Sequence, residues 1–596
     1  MTIPSTTSSA AWVTNTIEIG IKQHLYGRAT MSENIYKRLS EERKELQAKG
    51  LVPEWYTTAG YQMFKEKYEY QTEGRSVRGQ FERIAKTAAK HISDKFPEAE
   101  DRFFRLLWNG WLSASTPVLA NMGTSRGMPV SCSGTVADDS VDGFYTNLHE
   151  VAMLTKYGFG TATDLSNIRP RGAKISVGGK ASGVMPVIKE HVNAMRNIAQ
   201  GTARRGAWAA YLNIEHGDFR EVADHILAEP DDLNIGWTIK QSFIDRLNAG
   251  DQDAIERFQK AMKIKMVTGK GYFFFVDKAN AKRPVMYRDL GLMINNSQLC
   301  SEIMLFNDED HTYTCVLSSM NAAKWEEWKD TDAVYWATVF LDCVAEEFIA
   351  KADGIKGLEK AVRFTRKGRA LGLGLCGIHT LFMQKMLPFE SFEAHMLSQD
   401  IQAHIWKQAQ EATKHMAIAL GEPEWCKGYG VRNTHLIAIA PTKSTALLMG
   451  GVSEGINPDP AMSFTQMTAA GEVDRLNPVL LDLMKEKGVY TKKHVQEITD
   501  KQGSVQHVDW LTDKEKEIFK TAFEINQKAI LRLASARSRY IDQWQSLNLF
   551  FAADEDPAWI AEVHKEAFED PNILALYYVY TQAGVQAAKG ECEACQ

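Results

Sequence analysis

Apolar residues recur at helical spacing through the first hundred positions. Residues 81–90 and 103–108 each place apolar side chains three and four apart among charged ones, and predict helices across about 14–110. From about residue 115 the pattern changes to short apolar runs separated by glycine turns and longer helical stretches. Residues 209–212, 272–276 and 436–440 are too short for buried helices and predict buried strands. Residues 335–350 and 514–534 predict helices. Strands alternating with helices favour a parallel α/β architecture, with its site at the C-terminal ends of the strands. Residues of about 490–515 are polar and predict a surface insertion. The first ten residues predict a loose arm, and the small, polar segment after Gln582 a mobile tail. No internal repeat is found.

Composition narrows the function classes. A chain of 596 residues with a net charge of −6 can bury a large core, and offers neither a nucleic-acid groove nor a membrane-binding face. Arg204-Arg205 is a local basic spot suited to a single phosphorylated ligand. The start lacks the apolar core of a signal peptide, and no run of about 18 apolar residues exists to span a membrane. Eight cysteines in a chain this long are no disulfide scaffold. A reducing, cytoplasmic setting is expected.

The chemistry-bearing residues are individually weak signals. Cys300 lies two residues from Glu302, a possible general base or an ordinary surface carboxylate. Cys132 and Cys315 stand among Ser and Thr, whereas Cys343, Cys376 and Cys426 read as inert core. Cys592 and Cys595 form a Cys-x-x-Cys pair on the tail, without the second half of a zinc site, and read as a thiol–disulfide exchanger. Pro441-Thr442-Lys443-Ser444-Thr445 follows a predicted strand and precedes a helix start, a setting for a phosphate or simply a cap. Ser115-Thr116 in a Ser/Thr turn, the Gly158-Phe159-Gly160 pair and the loop 200–207 have equally ordinary readings. Strand alternation would put the rings of Tyr577 and Tyr578 on opposite faces.

Taken in order, these segments closely resemble the catalytic large subunit of class I ribonucleotide reductases. The resemblance runs from about residue 75 to the C-terminus through Ser115-Thr116-Pro117, Ser131-Cys132, residues 156–160, 168–172 and 204–207. It continues through Leu299-Cys300-Ser301-Glu302, Cys315-Val316-Leu317-Ser318, residues 441–445, Ile541-Asp542-Gln543, Tyr577-Tyr578 and the tail dithiol. It implies a ten-stranded α/β barrel with a central finger loop, preceded by a mainly helical N-terminal region. The corresponding divisions are an arm 1–12, a helical region 13–112, the barrel 113–582 and a redox-active tail 583–596.

The resemblance also implies roles. Cys300 carries a transient thiyl radical, Glu302 takes the ribose 3′-OH proton, and Cys132 with Cys315 supplies two electrons. Cys592 and Cys595 recharge that pair and are themselves reduced by thioredoxin or glutaredoxin. Tyr577 and Tyr578 relay the radical from a metal-containing small subunit; no cofactor is tightly bound in this chain and no metal site is expected. Ser115, Thr116, Ser131, Gly158 and the loop Pro441, Thr442, Lys443, Ser444, Thr445 hold the substrate phosphates. Asp139 and Arg169 belong to a specificity site for a deoxynucleotide or ATP at a homodimer interface, linked to base choice through Gln200 and Arg204. The alternative is an adenosylcobalamin-dependent reductase, which makes its radical without such a tyrosine pair. Three departures stand out. Gln298 replaces the family's usual Asn, Lys443 stands where a neutral or acidic residue is common, and the N-terminal segment does not resemble an ATP-cone. No overall on/off control by dATP is therefore expected.

Overall fold

The computed structural model describes residues 35–70, 76–176, 178–200, 204–468 and 471–582. Its strands are β1 (Leu112–Ala114), β2 (Cys132–Val136), β3 (Gly160–Asp164), β4 (Ala199–Gln200), β5 (Arg204–Arg205), β6 (Trp208–Asn213), β7 (Asn234–Ile239), β8 (Tyr272–Phe275), β9 (Tyr313–Asn321), β10 (Leu371–Cys376), β11 (Ser463–Thr468), β12 (Gly471–Leu476), β13 (Leu549–Phe551), β14 (Ala575–Leu576) and β15 (Val579–Thr581).

Ten segments close into a barrel. β2, β3, β6, β7 and β8 run parallel to one another. β9 turns back antiparallel on β2 and pairs in parallel with β10 on its other side. Single bridges from Leu373 to Ile437 and from Ile439 to Gln545 carry the second half onward. Tyr577 N–H donates to the Leu547 carbonyl at 2.9 Å, and β14 returns antiparallel to β8. The barrel thus consists of two parallel halves running in opposite directions. The parallel pairing read from the alternation of elements holds within each half but not between them, because a period shows that strands alternate with helices, not which way each strand points.

Burial on both faces explains the apolar runs. All nine residues of β9 and all six of β10 are buried, as expected of strands with helices outside and a filled lumen within. The helix Ala333–Ala352 packs against β9 and β10 on one side and the helices Val77–Ala89 and Ala99–Trp108 on the other, so it is apolar nearly all round. The short helix Thr58–Met63 packs on the helix Lys443–Leu448.

Two sequence expectations change. Residues 514–534 are not one helix: Asp513–Ile518 and Gln527–Arg537 are separate. Between them the Ala522 N–H donates to the Asp459 carbonyl, Thr521 N–H donates to Glu524, and Asn526 caps the second helix. These bonds, together with buried Phe519, Ala522 and Ile525, outweigh local helical periodicity. Residues 490–515 are more than a polar insertion. Ile498, Val505, Val508 and Leu511 build a small core with Met462, Leu480 and Met484.

Between β8 and β9 the chain enters the barrel as an irregular loop. Residues 294–307 are buried apart from the partly covered Asn295. Backbone without a ladder is costly inside a protein unless its polar groups find partners. Here Asn307 Nδ2 donates to Asn296 Oδ1 at 2.7 Å, Asn295 Nδ2 to the Asn307 carbonyl at 2.8 Å, and Ser297 Oγ to the Ile303 carbonyl at 2.7 Å. Two tyrosines fill the lumen around this finger, each lying where a strand glycine leaves room. A Cβ on Gly134 would sit 2.0 Å from the Tyr313 ring, and one on Gly236 2.4 Å from the Tyr211 ring.

Candidate functional site

The finger carries Gln298, Cys300 and Glu302 into the lumen. Its tip turns at Ser301, whose φ of 65° lies in the left-handed region. Tyr211 Oη donates to the Gln298 carbonyl at 2.7 Å, and Trp544 N–H donates to the Glu302 carbonyl at 2.9 Å, so both barrel halves grip the tip. Ser546 Oγ lies 2.7 Å from the Cys300 carbonyl and 3.0 Å from Glu302 Oε2. Its single proton serves one of them at a time.

Glu302 is fully buried, and its Oε1 accepts no hydrogen bond among the described residues. Burial drives its pKa up to about 7, offset in part by the Gln298 amide and the Ser546 hydroxyl. A carboxyl in that range exchanges protons readily near neutrality.

Cys132 on β2 and Cys315 on β9 are register partners across the antiparallel seam, and no disulfide joins them. Directly opposed residues have Cα atoms about 4.5–5.5 Å apart. That falls within the range a disulfide spans, so the pair can oxidise with little backbone movement. Gln298 Nε2 approaches Cys132 Sγ at 3.7 Å and Gln543 Nε2 approaches Cys315 Sγ at 3.7 Å. Burial pushes the Cys315 thiol well up, so it rests as the protonated thiol. Gln543 also donates to the Leu371 carbonyl and accepts from Met304 N–H, which ties the thiol's neighbour to the finger. The sequence reading gave Gln543 no role, although Ile541-Asp542-Gln543 is one of the segments that carry the resemblance. Cys343, Cys376 and Cys426 are buried as well.

Tyr577 and Tyr578 do not alternate across a strand. They occupy the step between β14 and β15, which lets both rings turn inward with centroids 4.2 Å apart at 53°. Tyr272 joins them at 5.0 and 5.5 Å, its Oη 3.3 Å from that of Tyr578, and Tyr580 lies 5.7 Å from Tyr578. The buried Lys265 ammonium donates to the Tyr577 carbonyl. Tyr272 and Tyr580 were not anticipated as members of this cluster.

Because the halves oppose one another, the starts of β2 and β3 and the end of segment 436–440 share one mouth of the barrel. Ser131, Gly158 and Pro441–Thr445 gather there. β1 ends at Ala114 opposite Ser318, near the Cys132–Cys315 pair along β9, which brings Ser115 and Thr116 to the same place. The hydroxyls of Ser113 and Ser131 are buried and take no partner among the described residues, as expected of groups awaiting a ligand. Thr116 Oγ1 lies 2.9 Å from Tyr68 Oη of the N-terminal region. The helix Lys443–Leu448 starts earlier than the sequence suggested, with Thr442 at a left-handed φ of 58° and its Oγ1 accepting from Gly455 N–H at 2.8 Å. Lys443 Nζ lies 5.5 Å from the Tyr580 ring centroid, linking this loop to the tyrosines.

Asp139 and Arg169 pair at 2.6 Å beyond the ends of β2 and β3, at the opposite mouth. Gln200 and Arg204 are register partners in the β4–β5 hairpin that precedes β6. Cys592 and Cys595 lie outside the described residues. Among the described residues no cluster of metal-ligating side chains occurs, and no helix is long and apolar enough to cross a membrane.

This arrangement has known counterparts. Residues 54–127 match the all-alpha domain of ribonucleotide reductase, and 130–254, 245–428 and 423–579 match its barrel domain, which puts the chain among the ribonucleotide reductases. A putative ribonucleoside-diphosphate reductase large subunit of Frog virus 3 is 32% identical over 86% of this chain and 94% of its own length. The large subunit of Danio rerio is 26% identical over 81% of this chain and 70% of its own. The alpha subunit of the Actinobacillus ureae class Id enzyme superposes with a TM-score of 0.82 at 34% identity, covering 89% of this chain and 98% of that one. The chain therefore belongs to the large, catalytic subunit family of ribonucleotide reductases.

Proposed function

We propose that this chain reduces ribonucleoside diphosphates to 2′-deoxyribonucleotides by class I radical chemistry. The observation that carries the reading is the barrel lumen itself. A register pair of thiols with no disulfide between them, a finger cysteine and a carboxyl with a pKa of about 7 are bound into one network by Gln298, Gln543 and Ser546.

In this reading Cys300, as a thiyl radical, takes hydrogen from C3′ of the ribose. Glu302 takes the 3′-OH proton. The 2′-hydroxyl leaves as water with a proton from the Cys132/Cys315 pair. The pair's second hydrogen goes to C2′ and its two electrons complete the reduction as the two sulfurs bond; Glu302 returns the proton to O3′, and Cys300 returns its hydrogen to C3′ and regains the radical. The tail dithiol Cys592/Cys595 then reduces the disulfide by exchange and is recharged by thioredoxin or glutaredoxin. The substrate diphosphate is held at the mouth by Ser115, Thr116, Ser131, Gly158 and residues 441–445. The tyrosine cluster and the class Id neighbour support a separate, metal-containing small subunit as the radical source. Asp139, Arg169, Gln200 and Arg204 make up a specificity site in a homodimer, and the enzyme works in the cytoplasm.

The test is reduction of cytidine diphosphate with a candidate small subunit, comparing the wild type with Cys300→Ser. The variant is expected to bind nucleotide and turn over none; substantial residual turnover would remove Cys300 from the centre of the mechanism. Turnover on adenosylcobalamin without a small subunit would overturn the class I assignment.

A further inference from the structure

A cavity of about 610 Å³ opens at the mouth opposite Pro441–Thr445, where the chain leaves β8 and where segments 436–440 and 543–547 begin. It has the size of a small-molecule site, and neither the thiols nor Asp139 and Arg169 line it. Lys282, Arg283, Arg288 and Arg539 line it, and none of them makes an ion pair among the described residues. Lys282 donates to Ser538 Oγ at 3.0 Å, Arg283 to the carbonyls of Asn280 and Leu292, and Arg288 to the Arg283 carbonyl. Arg539 makes no hydrogen bond among the described residues and is exposed.

The acids nearby do not cancel this charge. Asp542 lines the cavity, but its two oxygens accept the N–H groups of Leu436 and Ile437, and burial raises its pKa to about 7. Asp289, which accepts from Tyr429 Oη at 2.7 Å, and Asp570, which acts on Lys282, both lie outside the lining. The lining also includes the half-buried rings of Trp406 and Tyr429 and the Gln410 amide; the Trp406 and Gln410 polar groups have no partner among the described residues.

Unpaired guanidiniums recognise phosphate through several N–H groups at once. Aromatic faces accept a base by stacking, and a free amide reads its edge. We propose that this cavity is a further nucleotide site, which takes a nucleoside polyphosphate with its phosphates on Arg283, Arg288 and Arg539 and its base against Trp406. The proposal rests on the cavity alone and stands whether or not the catalytic reading does. The wall also gives the ligand a route to the chemistry, because Asp542 faces the cavity while the adjacent Gln543 reaches Cys315 Sγ.

The experiment uses the full chain, with ATP as the probe. Equilibrium dialysis compares the wild type with the double variant Arg288→Glu, Arg539→Glu, and hydrogen exchange follows the segments 282–290 and 538–542. The wild type is expected to bind one more ATP per chain than the variant, or to bind that ATP at least tenfold more tightly. ATP should slow exchange in both segments of the wild type only. Equal stoichiometry and affinity in two folded proteins would overturn the proposal. So would wild-type exchange in these segments that ATP leaves unchanged, a result that does not depend on the variant folding.

Discussion

At the scale of single residues, Glu302 makes the sharpest claim. In an unfolded chain its carboxyl titrates near 4.5, and in the barrel near 7. The native state therefore holds the proton more tightly, so stability falls as pH rises from about 4.5 through 7. The base appears over the same range: kcat/KM should climb with pH through an apparent pKa near 7. Glu302→Gln should flatten that part of the stability curve and cut turnover by about 10²–10⁴-fold, the usual worth of a positioned base. Urea unfolding and initial rates between pH 4 and 8 check both, and a variant that kept the rising limb would dismiss Glu302 as the base. Gly372 is the second residue of this kind. A Cβ there would sit 2.8 Å from Cys315 Sγ and 2.5 Å from the Leu317 side chain. Gly372→Ala should cost about 1–3 kcal/mol by overpacking and slow closure of the Cys132–Cys315 disulfide, read by thiol titration after one turnover.

At the scale of elements, the finger depends on side-chain amides rather than a ladder. Asn307→Ala would leave Asn296 Oδ1 without its donor in a buried setting, at a cost of about 1–3 kcal/mol. Its signature should be faster amide exchange across 294–307 while the barrel strands stay protected; uniform exchange would mean that Asn307 merely supports the global fold. No periodicity announces such a loop, and its place in the barrel was legible only through resemblance. The strands at 209–212 and 272–275 were legible directly, because burial on both faces leaves an uninterrupted apolar run. Tyr577 and Tyr578 defeated the alternation argument for a physical reason. Tyr577 N–H donates to the Leu547 carbonyl and the Tyr578 carbonyl accepts from Leu549 N–H, while β14 before the pair lies on β8 and β15 after it on β13, so the chain changes partner there and loses its twofold period. The break in 514–534 was hidden likewise, since the bonds to Asp459 come from distant chain.

At the scale of the whole molecule, the sequence showed strands alternating with helices but not that two parallel halves meet head to tail, because direction is set by long-range pairing. What ties the second half to its outer layer is one buried acid. Asp342, on the helix Ala333–Ala352, accepts from Arg369 Nε at 2.8 Å, Arg432 Nε at 2.8 Å and Asn433 Nδ2 at 2.9 Å. Arg369 leads into β10 and Asn433 into segment 436–440, so a single carboxylate fixes two adjacent strands to the helix behind them. The guanidiniums overcome the cost of burial and hold its pKa well below the ordinary 3.8. An acid with a depressed native pKa contributes stability above the unfolded value and loses it as pH falls toward the native one. Asp342→Asn leaves the partly buried Arg432 without its carboxylate and the buried Arg369 with Glu346 alone, and should cost about 3–5 kcal/mol at pH 7. The difference from the wild type should persist to about pH 4 and shrink in stronger acid as the wild type loses the same charge. Urea unfolding at pH 7, 5 and 3 measures it. A difference that stays constant down to pH 3 would mean that Asp342 acts through packing and that its charge does not organise the barrel.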